Sequence, residues 1–213
     1  MSIENYHAVH LPPDSIRQVV WEVITSYLEP FLPPAGAIME LGAGYCHWVN
    51  TAKATRKVAI DAWEDFPRYA GHDVECLIQD LRLPVSRNFQ EQFDVVLASN
   101  LLEHLFHDEI DRLLEQVHCW LKHGGALVLM QPNFYLAYRN YFDDYTHRTI
   151  FTHVSLSTLL RTKGFEMVRV EPRFMPYSLK NSRAPKWRWL MELYLHLPFR
   201  PFAGQMLLIG KKG

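Results

Sequence analysis

The chain has little of what marks several protein classes. Its 213 residues include only three cysteines, Cys46, Cys76 and Cys119, an odd number without C-x-x-C spacing. That excludes a disulfide framework and a structural zinc ribbon. No apolar stretch nears the roughly 20 residues a membrane span needs, and Met1 to His10 shows no basic stretch leading into an apolar run. Neither a spanning helix nor a secretory signal is expected. There is no surplus of one charge: 22 Lys and Arg face 23 Asp and Glu, for a net charge of -1, so the chain as a whole is not an electrostatic nucleic-acid binder. Repeats, low-complexity runs and Gly/Ser-rich linkers are also missing. Together these absences predict one globular domain in a reducing, cytoplasmic setting, and 48% hydrophobic with 21% charged residues suits it.

What is present alternates between strand and helix patterns. After Pro12-Pro13, with Asp14 or Ser15 as cap, Ile16, Val19, Val20, Val23, Ile24 and Tyr27 follow helical spacing until Pro30. Ala37 to Met39 is a short apolar run broken by Gly42-Ala43-Gly44, with a helix predicted over Trp48 to Lys57 and a strand at Val58 to Ile60. Val74 to Ile78 and Phe93 to Ala98 read as buried parallel strands. Asp108 is the expected cap of a helix carrying Ile110, Leu113, Leu114, Val117 and Leu121, stopped by Gly124-Gly125 before a strand over Ala126 to Met130. Ser155 to Leu160 reads as a helix, and Glu166 to Val170 and Gly204 to Gly210 as the last strands. This order predicts a doubly wound α/β domain with helices on both faces, whose ligands sit beyond the carboxyl ends of the strands.

Glycines where the first strand meets a helix let the backbone turn sharply and approach a ligand. A dinucleotide fingerprint would need glycine at position 47, where the chain has His47. Instead Glu40-x-Gly42-x-Gly44 resembles the first motif of class I methyltransferases that use S-adenosylmethionine (SAM), with Cys46 in the place of the usual third glycine. Asp61 ends the second strand where the family holds the ribose hydroxyls, and Asp80-Leu81 follows the third where it holds adenine. Phe93 to Leu105, with Asn100 and Leu101 at the methionine end, is similar to the fourth-strand motif, and Leu121 to Gly125 to the run into strand five. The resemblance implies SAM as cofactor, a seven-stranded sheet with the last strand antiparallel, and a cofactor site of Glu40, Gly42, Ala43, Gly44, Asp61, Ala62, Trp63, Asp80, Leu81, Asn100 and Leu101. Trp63 could equally stack on adenine or pack in the core.

Two polar clusters remain. Glu103, His104, His107 and Asp108 place two histidines at i, i+3, but Asn100 is a poor substitute for a carboxylate ligand and acids suit a helix N-terminus, so no metal is expected. Asn133 to His147 gathers Tyr135, Tyr138, Arg139, Tyr141, Asp143, Asp144, Tyr145, Thr146 and His147 after the fifth strand and reads as an acceptor-binding lid. Its Asp144-Tyr145-Thr146-His147 looks like small-molecule methyltransferases associated with saccharides. Within the single domain, residues 1–34 are then an N-terminal helical extension, and 132–152 and 177–201 are substrate-side insertions.

From residue 178 onward seven Lys or Arg face Glu192 alone. Residues 185–198 there mix tryptophans, leucines and basic side chains, which suits a lid or dimer helix, with peripheral membrane contact as the other reading. The expected activity is O-methylation of a small or saccharide-containing acceptor, with His104 or His147 as base and Asp144 orienting His147. A non-catalytic SAM-binding partner domain and a nucleic-acid methyltransferase are the alternatives. Against the latter, Ser99-Asn100-Leu101-Leu102 stands where many base-directed enzymes carry an Asn-Pro-Pro-Tyr-like sequence.

Overall fold

A computed structural model describes residues 15–177 and 187–213. Helix α1 spans Ser15–Leu28, so the expected cap at Asp14 lies outside the described residues. Pro30 does not end the chain's helical course at once, because it sits inside a 3-10 turn, Glu29–Phe31, where a missing N–H costs nothing. The sheet comprises β1 (Ala37–Leu41), β2 (Arg56–Asp61), β3 (Val74–Ile78), β4 (Phe93–Ser99), β5 (Leu121–Pro132), β6 (Phe165–Glu171) and β7 (Gln205–Lys212). Its order is β3-β2-β1-β4-β5-β7-β6, with β7 antiparallel to both neighbours and the other six strands running one way.

The short helices differ from the sequence pattern. Helix α2 is only His47–Thr51, because Ala52 turns extended and the chain must reach β2 at Arg56. Helix α3, His107–Trp120, is capped at Phe106 rather than Asp108: the Glu109 carboxylate reaches back to accept the Phe106 N–H at 2.8 Å, one half of a capping box. Gly124-Gly125 does not end this helix but lies inside β5, which starts directly at Leu121. Helices α4 (Phe134–Ala137), α5 (His153–Thr162) and α6 (Arg188–His196) complete the α-helices of the described residues.

Both sheet faces are covered. On one, Ile110, Leu113, Leu114 and Val117 of α3 and Leu156 and Leu160 of α5 bury against β1, β4 and β5. On the other, Val20, Val23, Ile24 and Leu28 of α1, Trp48 and Val49 of α2 and Leu195 of α6 do the same. Each such aliphatic side chain contributes about 1.5–3 kcal/mol, more than any helix propensity at stake. All five residues of β1 are buried, as a central parallel strand requires.

Much of the basic excess after residue 178 is structural. Arg200 is buried and ion-pairs with Glu171 of β6, which also accepts from Tyr27 Oη of α1 at 2.6 Å. Arg188 bridges Glu22 and Glu192, and Lys212 pairs with Glu91. Lys180, Arg183 and Lys186 lie outside the described residues. Helix α6 is neither wholly buried nor wholly interfacial: Leu195 packs inward while Trp187, Trp189 and Leu193 are exposed.

Candidate active site

The chain builds outward from β1 to β3, then returns to β4 beside β1. Such a switch in strand order opens a crevice beyond the carboxyl ends of the adjacent strands. The β1 loop enters it in a left-handed conformation, with φ of 66° at Gly42, 49° at Gly44 and 56° at Cys46. Gly42 has a second constraint: a Cβ there would meet Leu101 Cδ1, across the crevice after β4, at 3.2 Å. Cys46 therefore occupies the third-glycine position with a true left-handed backbone, its side chain fully buried near the Phe66 carbonyl. Burial pushes its thiol well above the ordinary value, so it packs as a small apolar group.

Asp61 anchors this loop. Its Oδ2 accepts the Gly44 N–H and its Oδ1 the Trp63 N–H, both at 2.8 Å. Each oxygen keeps a second lone pair for a further donor. Trp63 is almost buried, stacked on Tyr69 at 5.3 Å with Tyr45 edge-on, so it packs in the core. Ala62 is half-buried and Leu81, which follows Asp80, is buried. Asp80 stands beyond the end of β3 and is clasped by Arg82, whose guanidinium holds its carboxyl below the usual range. Asn100 takes a φ of 49° after β4 and accepts from Gln205 Nε2 at 3.3 Å.

Glu40 lies behind the loop. Its Oε2 accepts the Val49 N–H at 2.9 Å, so a carboxylate from β1 satisfies the first turn of α2, for which Cys46 provides no side-chain cap. Burial raises its carboxyl to about 8, with the nearby Asp61 adding to the rise and the Val49 N–H opposing it. A carboxyl whose folded value exceeds its unfolded one stabilises most below the unfolded value, and that benefit is lost as pH rises towards 8. Glu40→Gln is therefore expected to gain stability relative to the wild type between pH 5 and 8 in urea titrations. A difference independent of pH would show that Glu40 titrates normally.

The two polar clusters merge into one. The residues after β4 form a 3-10 turn, Leu102–His104, which breaks before α3 begins at His107, so His104 and His107 do not share a helix face. The His107 ring turns towards Phe151. In its place comes His147, because the Glu103 carbonyl accepts the N–H of both Arg148 (2.7 Å) and Thr149 (3.1 Å), while Thr149 Oγ1 donates to the Leu105 carbonyl at 2.6 Å. The His104 and His147 rings then lie 4.9 Å apart, edge to face.

Asp144 orients the cluster differently from expectation. Its Oδ1 accepts from Thr146 Oγ1, which lies 2.9 Å from His104 Nδ1, whereas His147 Nδ1 meets the Tyr141 carbonyl at 2.6 Å. The acid thus reaches His104 through a threonine, and a backbone carbonyl sets His147. Burial and the neighbouring His147 depress His104 to about 4, and burial depresses His147 below its ordinary value. Both imidazoles are neutral at neutral pH. Glu103, read from sequence as a helix-terminal acid, is instead buried, and Thr146 and Tyr141 carried no signal in the sequence beyond lid composition. The lid above exposes Tyr135, Tyr138, Phe142 and Tyr145.

A family model described as a methyltransferase domain matches residues 14–170. Solved structures share the fold at low identity. A SAM-dependent methyltransferase from Archaeoglobus fulgidus is 18% identical, with 90% of this chain and 94% of that one covered at a TM-score of 0.65. One from Mesorhizobium loti is 18% identical over 89% and 98% of the two chains, at 0.64. A protein of Pyrococcus horikoshii aligns over 100% of both chains, with 14% identity and a TM-score of 0.68. No curated protein sequence matches this chain.

Proposed function

Because the chain belongs to the SAM-dependent methyltransferase family, we propose that it methylates a hydroxyl of a small or saccharide-containing acceptor, with His147 as the proton acceptor. The convergence of His147 with His104 beside the crevice carries this reading. The cofactor fits the residues present: left-handed glycines permit close approach of the loop, and Asp61 retains acceptor capacity for a diol. When bound, it supplies an electrophilic methyl group on sulfonium.

The chain's own residues then have three tasks. The Gly42–Gly44 loop, Asp61, Asn100 and Leu101 hold the donor, and alignment with the acceptor oxygen lowers the barrier by proximity. Exposed phenols of the lid supply stacking surface and hydrogen bonds suited to a ring with hydroxyls. The Tyr141 carbonyl accepts the His147 Nδ1 proton, which leaves the lone pair on Nε2 to take a proton from the acceptor. His147 suits this task better than His104, since a base held near 4 is too weak at neutral pH.

The test is a transfer assay with methyl-labelled SAM against phenols, monosaccharides, saccharide conjugates and cell extract, followed by mass analysis. We expect one added methyl on oxygen. Methyl on nitrogen, or on RNA or DNA with salt-sensitive binding, would overturn the acceptor class.

A further inference from the structure

Glu103 is the buried group that the proposed chemistry leaves unused. It is 1% exposed, yet its Oε2 has no hydrogen-bond partner. An orphaned buried oxygen costs stability, and native structures rarely retain one without a ligand or ion to explain it. One ligand atom each of Glu103, His104 and His147 lies within 4.8 Å of the other two.

Both imidazoles are held in the tautomer a metal requires. Thr146 Oγ1 donates its proton to Asp144 and so can only accept from His104 Nδ1–H, while the Tyr141 carbonyl can only accept from His147 Nδ1–H. In each ring the lone pair falls on Nε2. Carboxylate and carbonyl partners behind metal-ligating histidines do the same in known sites, and fix ring orientation as well.

From this arrangement we propose that Glu103, His104 and His147 form a binding site for a divalent transition-metal ion of the zinc type. Two neutral imidazoles and one carboxylate are a three-ligand set with an open fourth position, which zinc accepts, whereas magnesium and calcium favour all-oxygen cages. Zinc bonds of about 2.0–2.1 Å put ligand atoms roughly 3.4 Å apart, so the three groups need to close by at most about 1.4 Å. The sequence paired His104 with His107 and pointed away from a metal because Asn100 is a poor substitute for a carboxylate and the acids suited a helix N-terminus; the fold brings His147 to His104 instead.

A consequence rests on the proposed function. An ion on His147 Nε2 occupies the lone pair that would accept the acceptor's proton, so zinc is inhibitory and turnover of the metal-free enzyme survives chelation. The experiment uses tag-free, chelator-treated protein titrated with Zn²⁺ by calorimetry and with Co²⁺ by visible absorption. We expect one ion per chain and the intense d–d bands of four-coordinate cobalt. Glu103→Gln should abolish saturable binding, and Thr146→Val should weaken it roughly 10- to 100-fold through the lost partner of His104. Thr146→Val removes no metal ligand, only the partner of His104 Nδ1, so it keeps the test open if Glu103→Gln fails to fold. Absence of wild-type binding, or stoichiometric binding unchanged in Thr146→Val and His147→Ala, would overturn the site. Binding without inhibition would keep the metal site and remove His147 as the base; inhibition relieved by chelator supports both.

Discussion

His147→Ala is expected to lower turnover by roughly 10²- to 10⁴-fold while leaving SAM affinity nearly unchanged, because general-base catalysis acts in the transition state. His147 sits on the lid after β5, whereas the proposed donor site lies on the loops after β1, β2 and β4. Single-turnover rates and donor affinity measured side by side would separate these effects. The pH profile adds a second signature. His147 must be neutral to accept a proton and burial depresses it below 6.5, so kcat/KM should rise with pH through a value below 6.5 and then stay level. An acid limb above 6.5 would mean that another group titrates. His104→Ala should cost less, unless loss of SAM binding accompanies it, which would make His104 a cofactor residue. Full activity in both single variants and the double variant would leave catalysis to alignment alone, or to an acceptor atom needing no deprotonation.

Asp61→Ala is expected to act on both fold and cofactor. The carboxylate satisfies two loop amides, those of Gly44 and Trp63, and an unsatisfied buried partner costs about 1–3 kcal/mol. SAM or its demethylated product should stabilise the wild type by roughly 2.7 kcal/mol at a hundredfold excess over Kd. In Asp61→Ala that ligand-induced shift should shrink by a further 1–3 kcal/mol equivalent in affinity, about the worth of the lost acceptor. Thermal melts with and without each compound read both effects. Absence of a wild-type shift at millimolar ligand would contradict the cofactor site at the Gly42–Gly44 loop. An undiminished shift in the variant would leave Asp61 only its anchoring role.

The succession of strands and helices along the chain, the glycine turn and the Asp61 position were legible in the sequence because each is a local pattern. Continuous apolar runs mark strands, and glycines mark a backbone that must turn left-handed, although β3, expected to be buried, is half-buried with Ile78 exposed because it lies at the sheet edge. Helix ends were less legible. The cap at Phe106 depends on Glu109 reaching back, and α2 stops short because of where β2 must begin. Even Glu40, recognisable as part of a motif, hid its role, since its partner Val49 lies on the next helix and is reached only when β1 and α2 pack.

The candidate catalytic cluster was decided by tertiary structure. Its residue types were visible as two separate groups, one after β4 and one in the lid; spacing could pair His104 only with His107, and the distance from His104 to His147 was not legible. Spacing within a chain constrains side chains only while one regular element continues, and here a 3-10 turn interrupts it. Thr146 meets His104 from 42 positions away because the Glu103 carbonyl binds two lid amides and Thr149 binds the Leu105 carbonyl. Those backbone partnerships are non-local and nearly independent of side-chain identity, so no sequence pattern announces them. They place two neutral imidazoles and one buried carboxyl around a common centre.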